Sequence, residues 1–305
     1  MALTTNNIAL IRALAENNFP VAYRAALASL VEDTSKKNQY FVEKYKPLLL
    51  GKDIVGMELK ALLPSEVKNL VVGESPEEFS PDRYFFRKEE EAVVDKIIKM
   101  RRVADELQMR NISYKNATLL YGESGTGKTT LGRYIAYKCN LPFVYISFAS
   151  AIESLMGKTA KNIHSVFESC SKFPCVLMLD EIDAIGTKRT GGGEANSTTS
   201  EMERTVISLM QSLDRLPNQS IIIGATNRVD SLDPALLRRF SIRHKVENLT
   251  IEDRQRLIQR YLKSTQTEEY LSFEDIQALA TKYDNPGAIM PCLVQMIGDK
   301  IYASL

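Results

Sequence analysis

The stretch LLYGESGTGKTTLGRYIA, Leu119 to Ala136, decides how the rest of this chain is read. Gly122, Gly127, Lys128 and Thr129 stand at G-x-x-x-x-G-K-T spacing. In that pattern glycines let backbone N–H groups curl around phosphate oxygens at a helix N-terminus, where the helix dipole also favours negative charge. The apolar TLLY before it and the periodic TLGRYIAYKC after it supply the strand and the helix that the motif requires. A glycine-rich turn opening a helix is the plainer alternative, and this context argues against it. Gly122, Glu123, Ser124, Gly125, Thr126, Gly127, Lys128, Thr129 and Thr130 are therefore expected to cradle a nucleotide. Lys128 would reach the β and γ phosphates and the Thr129 hydroxyl would ligate Mg²⁺.

Two further segments extend this chemistry. CVLMLDEIDAIG, Cys175 to Gly186, reads as a buried strand that delivers Asp180 to its carboxyl end, suited to the magnesium shell, with Glu181 beside it to polarise an attacking water. Simple capping of the next helix by the two acids is the competing reading. IIIGATNRVDSLDPALLRRF, Ile221 to Phe240, adds Asn227 at the end of another apolar run, placed to orient that water. Arg238 and Arg239 follow. On a monomer they are ordinary surface arginines; in a ring they become candidate arginine fingers that reach a neighbour's γ phosphate.

Apolar runs at residues 118–121, 143–146, 175–179 and 221–224, with a weaker one at 242–246, are separated for the first four by helical patterns. This predicts a doubly wound α/β domain on a parallel five-stranded sheet, with ligand at the carboxyl ends of the strands. Residues 1–50 read as a small helical module, with Ile8, Ile11, Leu14 and then Tyr23, Leu27, Leu30 at helical spacing. Residues 51–84, punctuated by Gly51, Gly56, Pro64, Gly73, Pro76 and Pro81, read as an extended linker. The αβα core is expected over 85–248 and a helical cap over 249–305.

Composition excludes several classes. The 305 residues carry 39 basic and 38 acidic side chains, a net charge of +1, which argues against a domain whose task is to grip nucleic acid. Hydrophobic content of 44% supports an ordinary buried core. Cys139, Cys170, Cys175 and Cys292 show no C-x-x-C pairing, and His164 and His244 are the two histidines, so a zinc site is not expected. Neither a secretory leader nor an 18-residue apolar run is present, and a cytoplasmic protein without membrane attachment is the expectation.

The order GESGTGKTT, VLMLDEIDAIG, IIIGATNR, LDPALLRRF resembles the AAA family of ATPases within the AAA+ superfamily, and more closely its small stand-alone bacterial members with a short helical N-terminal module. The resemblance spans roughly residues 85–305. It implies ATP and Mg²⁺ as ligands, an αβα P-loop domain with a C-terminal helical lid, and a homo-oligomeric ring, usually a hexamer. Position by position, it makes Lys128 and Thr129 the Walker A pair, Asp180 and Glu181 the Walker B pair, Asn227 the sensor and Arg238 with Arg239 the fingers. Gly287 and Ala288 resemble the small pair that approaches the nucleotide from the lid, and Phe85 or Phe86 would flank the adenine. Two departures stand out. Glu123 and Ser124 replace the prolines common in the family's loop, so Glu123 is expected to point outward. The arginines are adjacent, which leaves open which one reaches across.

Leu155, Met156 and Gly157 resemble the aromatic-hydrophobic-glycine triplet with which the family grips a translocating polypeptide; packing in the core is the alternative. The leading expectation is therefore an ATPase ring that remodels or threads a protein client. A regulatory switch that controls a partner effector, a protease or nuclease as in bacterial defence, is the alternative. A DNA-handling role ranks behind both.

Overall fold

The computed structural model describes residues 4–15, 19–33, 35, 37–53, 71–112, 114–148, 159–171, 174–184, 197–216 and 220–304. Helices α1 (Thr5–Ala15), α2 (Phe19–Glu32) and α3 (Gln39–Asp53) come first, α1 packing on α2 and α2 on α3. Strand β1 (Val71–Glu74) follows, then short 3-10 turns at Pro76–Glu78 and Pro81–Arg83, helices α4 (Lys88–Arg102) and α5 (Ala104–Met109), and β2 (Asn116–Tyr121). Next are α6 (Lys128–Cys139), β3 (Phe143–Ser147), α7 (Thr159–Cys170), β4 (Val176–Asp180), α8 (Ser197–Arg215) and β5 (Ile221–Thr226). The chain continues through α9 (Pro234–Leu237), β6 (Ile242–Lys245), α10 (Ile251–Thr265), α11 (Phe273–Lys282) and α12 (Pro286–Ser304).

The sheet runs β1-β3-β4-β5-β2-β6. Strands β2 to β6 are the five expected from the apolar runs, and all their pairings are parallel. The expectation of a purely parallel five-stranded sheet needs correcting: a sixth strand, β1, joins the edge antiparallel to β3, pairing Val71 with Ile146 and Glu74 with Phe143. It falls within 51–84, read from its punctuation as linker. Val71 is buried and Val72 exposed, the alternation of a strand with one solvated face, but four residues are too few for that period to stand out among glycines and prolines. Arg133 on α6 holds Glu74 at 2.6 Å and secures this edge.

Central strands buried on both faces read as unbroken apolar runs, which is why VLML was so legible. Their side chains divide between two layers with period two. Leu177 and Leu179 join Val166, Phe167, Leu209 and Leu213 of α7 and α8 on one face. Val176 and Met178 join Val94, Ile97, Leu131 and Ile135 of α4 and α6 on the other. A third cluster, including Ile258, Leu262, Ile276, Leu279, Ile289 and Leu293, is built by α10, α11 and α12. Among the described residues, no helix is long and apolar enough to cross a membrane.

Candidate nucleotide site

The glycine-rich loop leaves β2 and enters α6 through three positive-φ glycines, Gly122 (146°), Gly125 (80°) and Gly127 (98°). At Gly122 a side chain has nowhere to go: a Cβ would lie 2.2 Å from the Val246 carbonyl oxygen. Its N–H donates to the Thr226 carbonyl at 3.3 Å, hooking the loop to the end of β5. Gly127 caps α6 in the left-handed conformation, so the helix N-terminus opens towards the loop. Inside the loop the Thr126 hydroxyl donates to the Glu123 carbonyl at 3.0 Å, and the Lys128 ammonium donates to the carbonyls of Gly122 (2.8 Å) and Glu123 (2.7 Å). Burial pushes the Lys128 pKa down, against the opposing pull of Asp180 and Asp183. The Glu123 side chain is exposed and accepts from Asn248 Nδ2 at 2.7 Å, turned away from the cradle as expected.

At the carboxyl end of β4, Asp180 Oδ2 accepts from the Thr129 hydroxyl at 3.0 Å and from the Tyr145 phenol at 3.3 Å. Its Oδ1 accepts from the Glu181 N–H at 2.9 Å. Glu181 adopts φ 55°, a left-handed conformation that costs a residue with a Cβ about 1–2 kcal/mol. Strain of this sort persists only where surrounding structure enforces it. Here the enforcement is visible: the Ser147 hydroxyl donates to Glu181 Oε2 at 2.9 Å, and the Glu181 carbonyl accepts from Ala184 N at 2.9 Å. Asp183 is engaged separately, accepting from the buried Thr226 hydroxyl at 2.6 Å, while Thr226 accepts from Arg228 N at 2.9 Å.

The phosphate loop, Asp180, Glu181, Tyr145 and Thr226 border one cavity of about 390 Å³, within the range of small-molecule sites. Ser124 to Leu131, Asp180, Glu181 and Asn227 line its polar part; Phe85, Phe86, Val246, Leu249, Leu257 and Met290 supply apolar walls. Phe86 is fixed by stacking on Tyr134, ring centroids 4.2 Å apart. Phe85 lies 6.0 Å from the Arg256 guanidinium. From the helical cap, Pro286, Gly287 and Met290 reach the cavity. Gly287 N donates to the Gly125 carbonyl at 3.0 Å, and a Cβ on Gly287 would meet Gly125 Cα at 2.9 Å, so loop and cap touch backbone to backbone. Ala288 does not line the cavity; its N–H is taken by Asn285 Oδ1 at 3.0 Å, which caps the start of α12.

Arg238 and Arg239 border a different hollow, with Lys115, Ala117, Asp214 and Ile222. Ile222 lies near the start of β5 and Thr226 at its end, a separation of roughly 13 Å along the strand. The two arginines differ. Arg239 pairs with Asp214 at 3.6 Å and donates to the Ala235 carbonyl at 3.2 Å, whereas the Arg238 side chain is exposed and makes no hydrogen bond or ion pair among the described residues. Leu155, Met156 and Gly157 lie outside the described residues. His164 is exposed and 3.3 Å from Arg215. His244 lies 3.5 Å from the buried Glu90, whose pKa is set by burial pushing up and by His244 and Arg87 pulling it down to about 2. Glu90 borders the cavity and accepts from Arg87 N at 2.9 Å.

Thr129 and Asp180 offer adjacent hard oxygens, the donor chemistry that suits Mg²⁺. Among the described residues, no group of three or more His, Cys, Asp or Glu could hold an ion unaided, so phosphate oxygens and waters would complete the shell, the usual arrangement for this cation. The fit is good. Tyr145, Ser147, Asp183 and Glu90 were not anticipated. The alternation of Tyr145 and Ser147 through the apolar FVYIS was the available signal, because it puts two hydroxyls on one face of the strand.

Five parallel strands with a glycine loop at the carboxyl end of β2 and a carboxylate pair at the end of β4 define a P-loop nucleotide-binding protein. The family model for AAA, the ATPase family associated with various cellular activities, matches residues 118–248. The chain is 32% identical over 248 residues to the 26S proteasome regulatory subunit 6A of Saccharomyces cerevisiae, covering 77% of this chain and 56% of that one. It is 31% identical over 224 residues to the 26S protease regulatory subunit 6A of Caenorhabditis elegans, covering 72% and 52%. Thus it spans about half the length of these curated relatives. Its fold is similar to the crystal structure of the FIGL-1 AAA domain, with TM-score 0.59 and 23% identity over 81% of this chain and 82% of that one. Residues 118–248 thus form an AAA-family domain of the AAA+ P-loop ATPase type.

Proposed function

We propose that this protein binds ATP with Mg²⁺ and hydrolyses it in a site that a second copy completes, and that the cycle remodels a protein client. The observation that supports the hydrolytic reading most is the convergence on one cavity of the phosphate loop, Asp180, Glu181 and Asn227. A site that only held a nucleotide would need the first carboxylate and not the second. Lys128 and the loop amides would hold the phosphates; Thr129 and Asp180 would hold the cation, which supplies charge neutralisation on the phosphate oxygens. Glu181 would accept the proton of the attacking water and Asn227 would orient that water. Phe85, Leu249 and Met290 offer the apolar slot for the base.

Arg238 is the finger in this reading. It does not line the cavity described above and makes no side-chain hydrogen bond or ion pair among the described residues, whereas Arg239 is engaged with Asp214. A ring, taken as a hexamer, would bring it to a neighbour's γ phosphate. The protein-client part rests on the relatives named as proteasome regulatory subunits, with Leu155, Met156 and Gly157 proposed as the contact.

The test is ATP turnover and binding by the full chain with two variants. Lys128→Ala should lose nucleotide binding. Glu181→Gln should retain binding, lose turnover and accumulate as an assembled, ATP-loaded species from which a bound client is identified. Undiminished turnover by Glu181→Gln would remove the assignment.

A further inference from the structure

We propose that Tyr145 is a positioning residue of the ATP site, its phenol holding the Asp180 carboxylate in the orientation that receives the cation. The proposal rests on the hydrolytic reading above. Tyr145 lies on β3, in register with Met178 and so one pleat short of Asp180 on the neighbouring strand. An aromatic side chain spans that offset. Its hydroxyl reaches Asp180 Oδ2 at 3.3 Å, the oxygen that also accepts from Thr129 at 3.0 Å. The other oxygen accepts from Glu181 N at 2.9 Å.

Asp180 is thus gripped from three directions: the first turn of α6, the middle of β3 and its own succeeding peptide. A carboxylate at a strand end otherwise turns freely about its last torsion, and each orientation lost to binding costs entropy. The phenol restricts that rotation; two of the lone-pair sites on Oδ2 and one on Oδ1 are then engaged, and the second site on Oδ1 stays open towards the cavity side. Tyr145 borders the cavity, and its ring packs with the layer containing Phe143 and Met178, which anchors the hydroxyl. Removing a supporting group of this kind commonly costs about 10–100-fold in cation affinity.

Tyr145→Phe keeps the ring and its packing and deletes the one group the proposal concerns. Mn²⁺ binding to the full chain is measured by electron paramagnetic resonance with a non-hydrolysable ATP analogue, alongside analogue binding in EDTA. The expected result is a loss of about tenfold in Mn²⁺ affinity with less than about a twofold change in metal-free nucleotide affinity. Saturating Mg²⁺ should restore the turnover number while the half-saturating Mg²⁺ concentration stays raised. Unchanged Mn²⁺ affinity, a parallel fall in metal-free nucleotide binding, or a turnover defect that Mg²⁺ does not repair would each overturn the proposal. Asp180→Asn separates the two levels: if that variant also leaves Mn²⁺ affinity intact, the reading of the ATP site fails; if it alone weakens Mn²⁺, only the role of Tyr145 fails.

Discussion

The Thr129 hydroxyl donates to Asp180 Oδ2 across 3.0 Å, joining the first turn of the helix after the phosphate loop to the end of a strand 51 residues later. A hydroxyl whose proton is committed to a carboxylate turns its lone pairs outward, the state in which it serves as a ligand. Thr129→Val keeps the shape and removes that oxygen. It should weaken Mg²⁺-dependent nucleotide binding by about 10–100-fold while binding without metal changes little. Calorimetric titration with and without Mg²⁺ measures both, and equal losses in the two conditions would contradict the assignment.

Glu181 sits at φ 55°, where glycine is at ease and glutamate is not. Glu181→Gly should therefore leave unfolding free energy within about 1 kcal/mol of the parent, the relief of strain offsetting the lost side-chain contact and the looser unfolded chain. ATP binding should persist and hydrolysis should fall by about 100-fold or more. Denaturant titration and steady-state turnover together check this; a large loss of stability would show that the left-handed backbone is not strained.

The unequal engagement of the adjacent arginines predicts unequal phenotypes. Arg238→Ala should reduce turnover by about 10³-fold with unchanged stability, as expected for a finger acting on transferred phosphate. Arg239→Ala should cost at most about 1 kcal/mol of stability, because its partner Asp214 is exposed, and should affect turnover less. Mixing Arg238→Ala with Glu181→Gln subunits should restore part of the activity, since each carries the half of a shared site that the other lacks. No restoration at any mixing ratio would favour a site complete within one chain.

Two loop glycines separate clash from backbone strain. A Cβ at Gly122 meets the Val246 carbonyl oxygen at 2.2 Å, whereas at Gly127 it meets nothing within 4 Å. Gly127→Ala should cost only the strain of its positive φ, about 1–2 kcal/mol. Gly122→Ala adds a forced displacement of the loop or of the chain after β6, and should cost at least about 2 kcal/mol more. Thermal unfolding of the two variants ranks them, and the reverse order would refute the packing described.

Glu90 makes the acid stability of the core testable. Burial raises its pKa, but His244 and Arg87 pull it from 4.5 to about 2 in the folded protein. A folded-state pKa below the unfolded one contributes stability that is present above pH ~4.5 and is lost as pH falls towards 2. That contribution is about 3 kcal/mol at neutral pH. Glu90→Gln should be less stable at pH 7 and should show a shallower decline between pH 4.5 and 2, measured by denaturant midpoints across that window.

Elements that carry their own reason were legible beforehand. β4 could be read because a strand buried on both faces has no choice but to be apolar throughout, and the acids that end it mark the sheet edge where ligands bind. The phosphate loop could be read because backbone curling around phosphates demands glycine at set intervals. β1 could not: what makes it a strand is the unpaired edge of β3, a partner more than sixty residues away in the chain.

The sequence by itself determined the class of chemistry, through spacings enforced by local backbone geometry in Gly122 to Thr129 and by burial in Val176 to Asp180. Only the tertiary structure decided which hydroxyls grip the carboxylates, that Gly125 meets Gly287, that Glu90 is held by Arg87 and lies beside His244, and that among the described residues Arg239 has a partner and Arg238 has none. Such contacts join residues far apart in the chain, and which of many hydroxyls or guanidinium groups meets which partner follows from strand register and helix packing rather than from any local pattern of residues.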